Sequence, residues 1–137
     1  MTDSSPPPGP ALPPSFSRNW WRLLRASVAV VWFYQGLWHK ILAVDARHLE
    51  IVASAPAFVP PRLALGLIGV WETLFALAVL LRWRPQLFSW LQIGTLAAMN
   101  AAGILFAGGK IPDIGGMITM NLLFALAIHG LAHHETR

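Results

Sequence analysis

The stretch of sequence that decides the fold is residues 63–81, LALGLIGVWETLFALAVLL. It is apolar apart from Glu72 and Thr73, and it is long enough to cross the hydrocarbon core of a bilayer as an α-helix. A carboxylate in the middle of such a helix is costly unless it is paired, protonated or facing a polar cavity. The stretch therefore predicts a transmembrane helix with a polar site beside it.

Three further apolar stretches of similar length cover residues 23–44, 86–107 and 115–132. Together the four predict an all-α integral membrane four-helix bundle in one domain, residues 20–134. Between the first two spans, residues 45–55 place apolar side chains at helical spacing, which predicts a short interfacial amphipathic helix capped by Asp45. Residues 1–19 are rich in Pro and Ser and predict a disordered cytoplasmic tail.

Composition supports a membrane protein. Hydrophobic residues make up 55% of the 137 residues and charged residues only 12%, against roughly 25% charged residues in a soluble chain. The net charge is +4, but the basic residues flank the apolar stretches, so they predict membrane orientation and not a nucleic-acid partner. The absence of cysteine excludes disulfides, thiol redox chemistry and iron–sulfur clusters.

Basic residues in the flanks predict the orientation, because cytoplasmic loops carry an excess of Lys and Arg. One side of the predicted bundle holds Arg18, Arg22, Arg25, Arg82, Arg84 and Arg137. The other side holds Arg47, Arg62 and Lys110, with Lys40 if its side chain reaches outward. This asymmetry places both termini in the cytoplasm.

The densest polar cluster of the spans is residues 32–40, WFYQGLWHK. Trp32, Gln35, Gly36 and His39 share one helix face, and Gly36 permits close approach of a neighbouring helix. Counting from the outer ends of the spans puts Gln35 level with Glu72. Glu72 is therefore expected to accept a hydrogen bond from Gln35 or Tyr34, or to pair with Lys40 or His39.

Two interpretations of this cluster stay open. In one, the polar contacts only hold helices together in lipid. In the other, Glu72 handles a proton or binds a ligand. The aromatic side chains nearby suit either packing or a flat apolar ligand such as a quinone; they are Trp32, Tyr34, Trp38 and Trp71.

The remaining polar candidates predict structural roles. Asn100 and Asn121 suit hydrogen bonds between spans three and four. His39 and His129 lie near opposite ends of their spans, too far apart to ligate one haem iron, and His129 with His133 lacks a third metal ligand. With no nucleophile–base pair, metal set or cofactor motif, the sequence predicts no catalytic, cofactor-binding or metal-binding residue.

The sequence also resembles a known family. Residues 31–37 (VWFYQGL), 40–42 (KIL) and 48–52 (HLEIV), with Gly69-x-x-Glu72 and Asn121 after a Pro/Gly loop, resemble the DoxX-like membrane proteins. The resemblance covers roughly residues 22–132 and implies a compact four-helix bundle of the bacterial inner membrane. Its motif positions in this chain are Gln35, Gly36, Lys40, Glu72 and Asn121.

Some proteins that this chain resembles are subunits of a thiosulfate:quinone oxidoreductase. The resemblance therefore implies a non-catalytic accessory or partner-binding subunit beside a membrane or peripheral oxidoreductase, linked to quinone-dependent redox metabolism. The alternative is a small-ligand-binding or proton-handling protein that uses Lys40 and Glu72. A pocket of ligand size between the first two spans would favour the alternative, and a dry, fully packed interface there would favour the accessory role.

Overall fold

The computed structural model describes residues 18–56 and 58–137, and within them the fold is all-α, as predicted. The α-helices are α1 (Arg18–Phe33), α2 (Ala46–Ser54), α3 (Pro61–Leu80), α4 (Pro85–Ala107) and α5 (Ile114–Glu135). Most of the predicted tail lies outside the described residues. Its last two positions, Arg18 and Asn19, begin α1.

Helix α1 continues directly into a π-helix, Tyr34–Leu42, which the sequence did not predict. Short π-helical stretches inside α-helices are frequent at functional sites. The π-helix ends where the backbone N–H of Asp45 donates to the carbonyl of His39 at 2.8 Å. Val44 then adopts φ 48°, an uncommon conformation for a β-branched residue, and it turns the chain into α2.

Helix α2 occupies most of the segment predicted to be a short amphipathic helix. The Asp45 carboxylate caps it by accepting from the backbone N–H groups of Arg47 at 2.9 Å and His48 at 3.2 Å. The helix packs across α3 and α4. Its far end is tied to the loop after α4, because Lys110 Nζ donates to Ser54 Oγ at 2.9 Å.

Three helical segments within the described residues are long and apolar enough to cross a membrane, namely Pro61–Leu80, Pro85–Lys110 and Ile114–Glu135. Their bounds lie within a few residues of the predicted spans 63–81, 86–107 and 115–132. The predicted span 23–44 falls on α1 and the π-helix. Here α1 alone has only 16 residues, including three arginines, so the structure shows three of the four predicted spans as candidate crossings.

The apolar core lies between α1, α3 and α5, toward the end of the bundle that carries the C-terminus. Its buried members are Val28, Ala29, Trp32, Phe75, Ala76, Val79, Ile128 and Leu131. The opposite faces of the long helices expose large apolar side chains, including Leu67, Leu74, Leu87, Leu122 and Leu126. Such a surface suits contact with lipid and is rare on soluble monomers.

Candidate functional site

Two glycines bring the π-helix and α3 into backbone contact. A Cβ atom on Gly36 would lie 2.6 Å from the carbonyl oxygen of Gly69, and a Cβ on Gly69 would lie 2.8 Å from the carbonyl oxygen of Gly36. No side chain fits at such distances, so glycine is required at both positions. The close helix approach predicted at Gly36 is confirmed, and its partner is α3.

This contact places Lys40 beside Glu72. Lys40 Nζ donates to Glu72 Oε2 at 2.7 Å, and both residues are buried, at 4% and 2% exposure. Lys40 Nζ also donates to the backbone carbonyl of Gln35 at 3.2 Å. Of the partners that the sequence offered for Glu72, the structure selects Lys40.

The ion pair forms part of the wall of a cavity of about 310 Å³. The π-helix, α2, α3, α4 and α5 all contribute to this polar cavity. Its polar lining residues are Gln35, Lys40, His48, Glu72, Asn100 and Asn121. Asn121 Nδ2 donates to Asn100 Oδ1 at 2.7 Å, which is the hydrogen bond expected between these two helices.

Other candidates from the sequence lie away from the polar cavity. Tyr34 is 53% exposed, and its ring packs edge-on against His39 at a centroid distance of 4.5 Å. Tyr34 and Trp38 line a separate apolar groove on the outside, and the Trp71 indole N–H donates to Thr95. Among the four aromatic residues proposed as ligand walls, Trp32 is the one that lines the polar cavity.

Two residues near this site were not predicted from the sequence. Gln92 is buried at 2% exposure, and its Oε1 accepts from the indole N–H of Trp32 at 2.6 Å. An amide side chain inside an apolar span is a signal that could have found it, as it did for Asn100. His48 also lines the polar cavity, but on the sequence it reads as one polar position of an amphipathic helix.

His48 belongs to a second cluster at the rim of the cavity, with His39 and Asp45. Burial lowers the pKa of His48, and the nearby charge of Lys40 acts in the same direction. The pKa of Asp45 is lowered chiefly by the hydrogen bond from the backbone N–H of His48. At neutral pH these shifts favour a neutral imidazole beside an ionised carboxylate.

An apolar cavity of about 250 Å³ adjoins the polar one. Both cavities are lined by Ile51, Met99 and Gly103, so these residues separate them. The other residues that line the apolar cavity come from α2, α3 and α4 and their ends. They are Val52, Ala55, Ala64, Ile68 and Ala102. Side by side, the two cavities offer hydrogen-bonding groups at one end and aliphatic surface at the other.

Comparisons with known proteins point to a single family. Neither the curated proteins nor the solved structures contain a match to this chain. The family model described as the DoxX-like family matches residues 29–129, which include the π-helix, α2, α3, α4 and most of α5. With this match and its apolar helices, the chain is a membrane protein that belongs to the DoxX-like family.

Proposed function

We propose that this protein binds a small amphipathic molecule inside the membrane. The observation that carries the proposal is the cavity of about 310 Å³ beside the buried Lys40–Glu72 pair. The first two spans are in backbone contact at Gly36 and Gly69, and the cavity lies beside this contact, lined also by α2, α4 and α5. The accessory role beside an oxidoreductase stays a prediction, and it is compatible with ligand binding.

The two cavities support a ligand with a polar ring and an apolar tail. A cavity of about 150 Å³ already holds a benzene molecule, so the polar cavity accommodates a substituted ring. Lys40 and Asn121 supply N–H donors toward such a ring, and the aliphatic cavity beyond Gly103 suits a tail. An isoprenoid quinone has this combination of carbonyl acceptors and hydrocarbon chain, and it is the ligand that we propose.

The ligand site has its own test. We would measure binding of a ubiquinone analogue with a short tail to the purified protein in detergent by isothermal titration calorimetry. Gly103→Leu fills the boundary between the two cavities, because a Cβ there meets only Ile111 Cδ1, at 3.5 Å. Affinity should fall at least about tenfold, since the added side chain occupies the volume that the ligand needs.

Gly94→Leu is the matched control on the same helix. Gly94 is exposed, and a Cβ atom added to it would meet no other atom within 4 Å, so affinity should stay within about twofold. Equal losses in the two variants would contradict binding in the cavities. Absence of saturable binding by the parent protein would contradict a quinone as the ligand.

We infer in addition that the chain crosses the bacterial inner membrane four times. The 16 residues of α1 and the nine of the π-helix follow one another without a break, and at the α-helical rise they reach about 30 Å or more, the thickness of the hydrocarbon core. Exposed apolar side chains on this segment support the crossing; they include Val30, Val31, Leu37 and Leu42.

We propose further that both termini lie in the cytoplasm and that α2 lies at the outer surface. Four arginines surround one cavity at the end that carries both termini, together with Asn19, Trp21 and His134; they are Arg18, Arg22, Arg25 and Arg82. This concentration of positive charge supports a cytoplasmic position for that end. Reporter fusions after Arg137 and within residues 56–60 test it, and a periplasmic signal from the C-terminal fusion would contradict it.

A further inference from the structure

Three side chains with metal-binding atoms meet where the π-helix gives way to α2. His39 Nδ1 lies 3.7 Å from Asp45 Oδ2, and His48 Nδ1 lies 3.3 Å from Asp45 Oδ1. One ligand atom from each residue falls within 4.8 Å of the others. All three residues are partly buried, so the cluster is neither free on the surface nor closed to solvent.

Local structure fixes this arrangement. The backbone N–H of Asp45 is bonded to the carbonyl of His39, and the left-handed Val44 reverses the chain between them. Asp45 then caps α2, which orients its carboxylate toward the first turn and toward His48. The sequence does not predict this cluster, because it carries no signal for the left-handed turn at Val44 that brings His39 beside Asp45 and His48.

We propose that His39, Asp45 and His48 bind a divalent metal ion of the zinc class. Two imidazole nitrogens with one carboxylate oxygen form a ligand set that Zn²⁺ and its neighbours prefer, whereas Ca²⁺ and Mg²⁺ prefer oxygen ligands alone. This site is separate from the Lys40–Glu72 pair and does not depend on the ligand proposed for the cavities.

The distances fit such an ion after a small movement. Zinc lies about 2.0–2.2 Å from nitrogen and oxygen ligands, which puts neighbouring ligand atoms roughly 3.4 Å apart in a tetrahedron. The separations of 3.3 and 3.7 Å are close to this value, and each involves a different oxygen of the Asp45 carboxylate. The largest separation between any two of the three ligand atoms is at most 4.8 Å. A rotation of the partly exposed His39 side chain shortens this distance.

An independent observation points to a missing partner at His48. Its Nδ1 atom is buried, and its contact with Asp45 Oδ1 at 3.3 Å is too poorly aligned to count as a hydrogen bond. Buried polar atoms are nearly always satisfied, so an orphan nitrogen calls for an explanation. A metal ion bound at Nδ1 supplies one.

Three protein ligands leave one position of a tetrahedral ion for water or another molecule. Because His48 also lines the polar cavity, the metal site would adjoin that cavity. Lys40, which also lines the polar cavity, is paired with Glu72, and this pairing reduces its repulsion of a metal ion. The site therefore combines a metal-binding set with access from the cavity.

The test uses the full chain in detergent, stripped of metal and titrated with Co²⁺ and then Zn²⁺, without quinone. We expect one ion per chain, visible absorption bands of tetrahedral Co²⁺, and displacement of Co²⁺ by Zn²⁺. His48→Ala and His39→Ala should each weaken Zn²⁺ binding at least about tenfold. Because neither titration involves quinone, failure here is distinguishable from failure of the proposed ligand site.

Two control variants keep the result interpretable. Asp45→Asn retains a good helix N-cap but loses the charge, so it should weaken Zn²⁺ binding without a loss of helix content by circular dichroism. Substitution of His129 and His133, which stack on each other on α5, should leave Zn²⁺ binding within about twofold. Absence of stoichiometric binding, or equal losses in this control pair, would overturn the proposal.

Discussion

The two halves of the bundle are packed differently. Toward the end that carries the C-terminus, Phe75 and Ile128 lie in a core at 0% and 2% exposure. In the other half, the same helices surround polar side chains and a cavity of about 310 Å³. Because empty volume lowers stability, the half with the apolar core stabilises the fold, and the half with the cavity forms the site.

Trp32 marks the boundary between the halves. Its ring packs against Phe75 at 5.0 Å and against Phe124 at 5.5 Å between centroids. Its indole N–H is bonded to Gln92, and it also lines the polar cavity. Because Trp32 contacts both halves, a substitution there would affect both, so the halves are best compared by substitutions at other residues.

The largest effects, of similar size, are expected at the ion pair in the half that contains the polar cavity and at Phe75 in the half that contains the apolar core. Glu72→Leu and Lys40→Met should each lower the free energy of unfolding by about 3–5 kcal/mol, because each leaves a buried charge without its partner. The double variant should lose less than the sum of the two. Equilibrium unfolding in a denaturing detergent measures all three, and additive losses would contradict the contact.

In the half that contains the apolar core, Phe75→Ala should lower the free energy of unfolding by about 3–5 kcal/mol, since the surrounding side chains cannot collapse into the space. Phe124→Ala at the wall of the polar cavity should cost less, about 1–2 kcal/mol, because Phe124 is only partly buried and already borders empty volume. The same unfolding assay compares them. Equal losses would show that the two halves do not differ in packing.

A smaller effect is expected at the helix contact. Gly36→Ala should cost about 1–3 kcal/mol, because its Cβ would collide with the backbone of α3. Gly66→Ala on α3 is the control, since its Cβ meets no atom within 4 Å, and alanine there should be neutral or stabilise by up to about 1 kcal/mol. Thermal unfolding in detergent distinguishes them; a tolerated Gly36→Ala would contradict the backbone contact.

The smallest effect is expected at Ser89, in the half that contains the apolar core. Its hydroxyl is buried at 1% exposure and has no hydrogen-bond partner, so Ser89→Ala removes an unsatisfied group. The free energy of unfolding should rise, by less than about 1 kcal/mol. A clear loss on thermal unfolding would indicate that the small adjoining cavity, about 20 Å³, holds a water molecule bonded to Ser89.

The features of the fold that depend on the length and periodicity of apolar stretches could be predicted from the sequence. Apolar stretches gave the bounds of α3, α4 and α5, and counting depth along two spans brought Lys40 within reach of Glu72. The π-helix could not be predicted, because residues 34–42 have no local signal for it and its geometry depends on packing against α3. Cavity volume is likewise a property of the assembled helices, so the pattern of residues predicted the polar groups but not the space between them.

The contact between Gly36 and Gly69 also determines the register of two helices. Sliding the π-helix by one turn along α3 would bring the side chain of Leu65 or Thr73 against the backbone of Gly36, and it would carry Lys40 about 5.4 Å away from Glu72. The backbone, and not the attraction between charges, therefore sets the depth at which the two side chains meet. Glu72→Gln should accordingly leave the helices in place, which makes it the variant that isolates the carboxylate's charge from its position.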